Sequence, residues 1–175
     1  MGAFRSRLCL ALVALISMHA VADAASIMDQ DVRLMVRAIG FLRPEPNDGG
    51  IVAIAYEASN PASRQDADAI AGYFGGGLKA GRAVLLPRVV DGRQLISGGY
   101  VAIITASGAN IDLVAAAGRA LHVPCLTGEV SLVRSGRCVM SVRSDPKVEI
   151  TVSRSAAANG DVTFASAFLM MVSQF

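Results

Sequence analysis

The side chains of this sequence best suited to chemistry are His122, Cys125, Cys138 and the carboxylates Glu57, Asp66 and Asp68. Nucleophilic catalysis needs a base beside the nucleophile. His122 stands at the end of a predicted helix, where a cation pairs with the helix dipole. No serine lies in a G-x-S-x-G elbow. Tetrahedral zinc takes four ligands, or three plus water. His122, Cys125 and Cys138 would need an aspartate or glutamate to complete a set, and nothing in the spacing demands one, so no metal is expected. Gly75-x-Gly77-x-x-Ala80 matches a loose dinucleotide fingerprint, but it follows a helix rather than a strand and cannot form the required turn. Asp66 and Asp68 are two apart on a helix and so face different ways. Glu57 reads as a solvated carboxylate after a strand. No cofactor is implied.

One place could hold a ligand. Open α/β sheets bind ligands beyond the carboxyl ends of their strands. Here that edge offers Ser59, Asn60, Ser63 and Arg64, together with Thr105, Ser107 and Asn110. Hydroxyls, helix N-termini and an arginine could hold an anion there, although capping and loop chemistry use the same residues.

The 175 residues are 53% hydrophobic and 17% charged, with a net charge of +2. So balanced a charge argues against a nucleic-acid partner, and so apolar a chain argues against disorder. Residues 1–24 read as a secretory signal. Arg5 and Arg7 precede an apolar stretch, and Ala22-Asp23-Ala24 offers small residues for cleavage. The alternative is an uncleaved anchor. Removal takes away Cys9 and His19, and the 16 basic and 14 acidic residues become 14 and 13. Residues 25–175 then form one domain. An even cysteine count in an exported chain favours a Cys125–Cys138 disulfide, with two buried thiols as the alternative.

The elements that must position these groups follow from periodicity. Residues 30–41 form a helix with Val32, Met35, Val36 and Ile39 on one face. Residues 51–56 are a continuous apolar run, as in a strand buried on both faces. Asn60 and Pro61 suit the cap and first position of a helix over 61–74, with Leu78 continuing its stripe. A second strand spans 82–90, and Pro87 places it at a sheet edge. A third apolar strand covers 100–104, and a helix covers 110–121. This predicts a three-layer α/β domain whose mostly parallel sheet begins in the order second, first, third strand. Residues 123–126 could add a fourth strand. Residues 138–143 and 148–152 alternate apolar and polar residues around Ser144-Asp145-Pro146-Lys147, the mark of an antiparallel hairpin. Residues 153–159 read as a short helix or turn. Phe164, Phe168, Met171, Val172 and Phe175 would share one face of a closing helix.

The order of these pieces resembles the YfiR family of exported bacterial proteins. The likeness rests on the N-terminal amphipathic helix before a strand-helix-strand unit, on Tyr100-Val101-Ala102-Ile103-Ile104, and on Pro124-Cys125-Leu126-Thr127. It also rests on the stretch from Val148-Glu149-Ile150-Thr151-Val152 through Ala156-Ala157-Ala158 to Val162-Thr163-Phe164-Ala165-Ser166. The resemblance implies a non-enzymatic periplasmic regulator that restrains a membrane-bound diguanylate cyclase by contacting its sensory domain. It also implies a stabilising disulfide in the region of Cys125 and Cys138. The expectation is therefore an exported protein that acts by contact with a membrane-bound sensor or cyclase. A homodimer is left open. The rival reading is a small-ligand-binding or sensory periplasmic domain using the crevice at Asn60, Ser63, Arg64 and Ser107.

Overall fold

The computed structural model describes residues 26–46 and 49–175. The expected signal segment, residues 1–24, lies outside the described residues.

Helix α1 (Asp29–Ile39) opens the described chain and buries Val32, Met35, Val36 and Ile39, as its spacing predicts. Asp29 and Arg33, one turn apart on its exposed side, pair at 2.9 Å. A short strand, β1 (Leu42–Arg43), then leads to β2 (Gly50–Tyr56), the continuous apolar run. Helix α2 (Pro61–Gly72) follows, then β3 (Leu78–Ala80) and β4 (Ala83–Asp91). A 3-10 helix (Gly92–Ser97) makes the short crossover to β5 (Ala102–Thr105). Helix α3 (Ile111–Leu121), β6 (Cys125–Thr127) and α4 (Val130–Arg134) come next. Strands β7 (Met140–Arg143) and β8 (Glu149–Val152) form the hairpin, followed by α5 (Arg154–Asn159). The chain closes with β9 (Thr163–Phe164), α6 (Ser166–Leu169) and β10 (Ser173–Gln174).

The main sheet has the order β10-β8-β7-β6-β5-β2-β4-β3, and β1 pairs with β9 separately. Strands β4, β2, β5, β6 and β7 run parallel to one another. The expected order of second, first, third strand is thus β4-β2-β5. Strands β7 and β8 are antiparallel, with Met140 opposite Val152. Because side chains alternate across a strand, Val52 and Ile54 face the layer of α1 and α2, while Ala53 and Ala55 face the layer of α3, the 3-10 helix and α4. Both faces of the sheet are covered, giving the three-layer α/β architecture.

Three details differ from expectation. Helix α2 stops at Gly72, and Leu78 starts a strand instead of continuing the helical stripe, because Gly75 and Gly77 take positive φ angles that no helix continues. Strand β4 is not the outermost strand, since β3 pairs antiparallel with it over residues 83–85. Pro87 lies past that pairing, so the missing N–H of proline still falls on an open edge. The closing helix is only four residues long. Phe164 lies in β9 and pairs opposite Leu42, so tertiary pairing with β1 overrides the helical spacing of the segment.

Candidate functional site

The residues expected to form a crevice lie at the carboxyl ends of β2 and β5, where their polar groups bond within the protein. Asn60 is the N-cap of α2, and its Oδ1 accepts from the N–H groups of Ala62 (3.1 Å) and Ser63 (3.3 Å). Ser63 is buried, and its Oγ accepts from the Glu57 N–H at 3.1 Å. Across the gap, Gly108 holds φ +71°, and a Cβ there would lie 2.6 Å from Asn60 Nδ2. The loop after β5 therefore packs onto the cap of α2 with no room for a side chain. Asn110 caps α3 in the same way, accepting from the Asp112 and Leu113 N–H groups.

The charges of the region are likewise paired within it. Arg64 Nε reaches both carboxylate oxygens of Asp68 at 3.0 Å, and Nη1 donates to the Tyr56 hydroxyl at 3.2 Å. The bond to Asp68, then that to Tyr56, holds the Arg64 guanidinium above its ordinary value. The guanidinium also lies 4.9 Å from the centre of the Tyr56 ring. Glu57 Oε1 accepts from Ser59 Oγ at 2.9 Å and from Arg93 Nη2 at 3.4 Å. The Ser107 N–H donates to Asp66 Oδ2 at 2.7 Å, and Ser26 Oγ donates to Asp66 Oδ1 at 2.9 Å. A carboxylate of the protein thus occupies the loop amide that an anionic ligand would need. Asp66 and Asp68 point to different partners, as their spacing requires.

Cys125 and Cys138 are joined in a disulfide, with Cα atoms 4.9 Å apart, inside the usual range for such bridges. Both residues are buried in the layer containing α3 and α4. The bridge ties the start of β6 to the residue pair before β7, next to the Val139 N–H bond to the Cys125 carbonyl at 3.0 Å. It closes a 13-residue separation around α4, which corresponds to about 3 kcal/mol of stabilisation in the chain-entropy model.

His122 is exposed and takes φ 56° as the residue ending α3, the left-handed cap that glycine or asparagine more often supplies. It lines a cavity of about 410 Å³ with Arg43, Pro124, Asp161 and Val162. Asp161 is the other non-glycine residue with positive φ among the described residues. Arg43 is already engaged there, donating to Glu45 at 2.7 Å. Sequence reasoning missed the tie of Asp66 to Ser107. It also missed the burial of Asp31, which is 4% exposed. Its position at N3 of α1 is a legible signal, since an acidic group there bonds the backbone at the helix start. Indeed Asp31 Oδ2 accepts from the Met28 N–H at 2.9 Å.

No family model and no curated protein matches the sequence. Among solved structures, the fold is similar to an ABC domain from Streptococcus pneumoniae in complex with L-Trp, with a TM-score of 0.55 and 14% identity. The match covers 82% of this chain and 60% of that one. At that identity the likeness is one of fold. Together with the sheet order, it defines the class: a three-layer α/β domain with a mostly parallel sheet, stapled by a disulfide. No helix among the described residues is long and apolar enough to cross a membrane.

Proposed function

We propose that this protein is an exported, non-enzymatic regulator that works in the periplasm by binding a membrane-bound signalling protein, a diguanylate cyclase by resemblance to the YfiR family. The supporting observation lies at one edge of the sheet. Strand β10 is its outermost strand. Around it Met170, Met171 and Phe175 are 81%, 69% and 51% exposed. Large apolar groups clustered on a surface mark contact sites, an open strand edge is a template for pairing, and methionine adapts to varied partners. Arg134 lies over the Phe175 ring at 5.2 Å and adds a cation to the rim. The disulfide supports an oxidising compartment. The rival use of Asn60, Ser63, Arg64 and Ser107 for a small ligand has less support, because those groups are already bonded locally.

The test is reconstitution. Membranes carrying a diguanylate cyclase of the same cell are assayed with and without the purified disulfide form. The protein lowers the rate of cyclic-di-GMP synthesis, and a variant with Met170→Asp and Met171→Asp does not. An unchanged rate with the folded wild-type protein would refute the reading.

A further inference from the structure

Met140, Val142, Ile150 and Val152 of the β7–β8 hairpin face the layer of α1 and α2. Alternation along the strands therefore turns Ser141, Arg143, Glu149 and Thr151 to the opposite face, toward α4. These four residues line a cavity of about 200 Å³ with Val130, the first residue of α4, and the turn residues Asp145, Pro146 and Lys147. The cavity lies at the carboxyl end of β7, the edge along which open α/β sheets place their ligands. Its floor is made of hydroxyls. Thr127, Ser141 and Thr151 stand side by side across β6, β7 and β8, and they are 1%, 2% and 1% exposed. Thr127 Oγ1 accepts from the Glu129 N–H at 3.1 Å. The hydroxyls of Ser141 and Thr151 make no hydrogen bond among the described residues. Buried polar groups are almost always satisfied, so two such hydroxyls in one cavity call for an occupant. At about 30 Å³ per water, the space is too large for one structural water or one bare ion.

The floor and the rim define its chemistry. A charged group pressed onto uncharged hydroxyls would lose its water without a compensating charge. A ligand hydroxyl loses little there, because it donates and accepts as serine and threonine do. The rim carries two cations, Arg143 and Lys147, and two carboxylates, Asp145 and Glu149, all exposed. Such a balance attracts an ion of neither sign. Arg143 stands directly opposite Glu149 in the ladder, yet none of the four forms an ion pair among the described residues. Arg143 can only donate and Glu149, when ionised, can only accept. Neighbouring hydroxyls on one ligand satisfy both, one accepting from the guanidinium and the next donating to the carboxylate. Val130 and Pro146 add apolar surface that suits the C–H face of a sugar ring.

We infer that the Ser141–Thr151 cavity is a binding site for a neutral polyhydroxylated molecule, a single monosaccharide ring. Its inner hydroxyls bond to Ser141 and Thr151, and its outer ones to Arg143 and Glu149. This goes beyond the regulator reading and stands without it.

The test is titration of the purified, isotope-labelled protein with D-glucose, D-galactose and D-ribose, followed by its amide chemical shifts. Acetate and ethylamine serve as charged controls. At least one of the three sugars gives saturable shifts in the millimolar range or tighter, centred on residues 128–131 and 141–151, and neither control does. Ser141→Ala and Thr151→Val each weaken sugar binding by about threefold or more, as expected for a lost hydrogen bond. They leave thermal stability nearly unchanged, because neither hydroxyl bonds within the protein. Glu149→Gln, on the exposed rim, also weakens binding and keeps the readout valid if a hydroxyl variant fails to fold. Absence of saturable shifts with all three sugars overturns the proposal. So do equal shifts with acetate or ethylamine, or sugar binding untouched by the three substitutions.

Discussion

Gly108→Ala tests whether the loop after β5 is a structural lock on α2. The new Cβ would stand 2.6 Å from Asn60 Nδ2, closer than real Cβ contacts allow, at a residue with φ +71°. The left-handed conformation alone costs a non-glycine residue about 1 to 2 kcal/mol. Asn60 must also shift, and its Oδ1 is the acceptor for Ala62 and Ser63 at the start of α2. Loss of such a cap costs about 0.5 to 2 kcal/mol. The sum is about 1.5 to 4 kcal/mol, which lowers the melting temperature of a domain this size by about 3 to 16 °C. Thermal unfolding followed by circular dichroism measures it for Gly108→Ala, Asn60→Ala and the double variant. The cap contribution can be lost only once, so the double variant loses less than the sum of the singles, as residues in contact do. A neutral Gly108→Ala, or strictly additive losses, would refute the claim that Asn60 and Gly108 act as one packed unit.

Three further outcomes follow from the same geometry. Replacing Cys125 and Cys138 with alanine lowers stability by about 3 kcal/mol without abolishing the fold, and denaturant unfolding checks this; alkylation and mass spectrometry of the wild-type protein should find no free thiol at either position. Sulfate or phosphate should leave the melting temperature unchanged beyond the general salt effect, because Asp66 already accepts from Ser107, and a saturable rise would show an anion site at that edge. Met170→Asp with Met171→Asp should alter stability by only about 0.5 kcal/mol per site, the norm for exposed positions, while removing cyclase restraint; a large loss of stability would show that these side chains serve packing instead.

Where a single element decided its own structure, the sequence was legible. The apolar runs of β2 and β5 read as central strands because burial on both faces leaves no polar position. Asn60 followed by Pro61 marked the start of α2 because the cap and the fixed φ of proline act locally. Pro87 pointed to an open edge, although the small strand β3 covers the other end of β4. Illegible were the features set by distant partners. Phe164, Phe168, Met171 and Phe175 keep a helical interval, yet Phe164 pairs with Leu42 in β1, far away in the chain. The three-residue β3 carries too little pattern to register and exists through its pairing with β4. For the candidate site, residue types named the right edge of the sheet. They could not show that Asn60, Ser63 and Ser107 would be consumed by local bonds, nor that Asp31 of a surface-looking helix start would be buried beneath the β7–β8 turn.

The most direct measurement for the central claim is the cyclic-di-GMP pool of living cells. Cells lacking this protein should hold more cyclic-di-GMP than wild type. The chain carrying residues 1–24 should restore the lower level, and a chain without them should not, because the proposed contact is made outside the cytosol. An unchanged pool on deletion, or equal restoration by the leaderless chain, would contradict an exported regulator that works by contact.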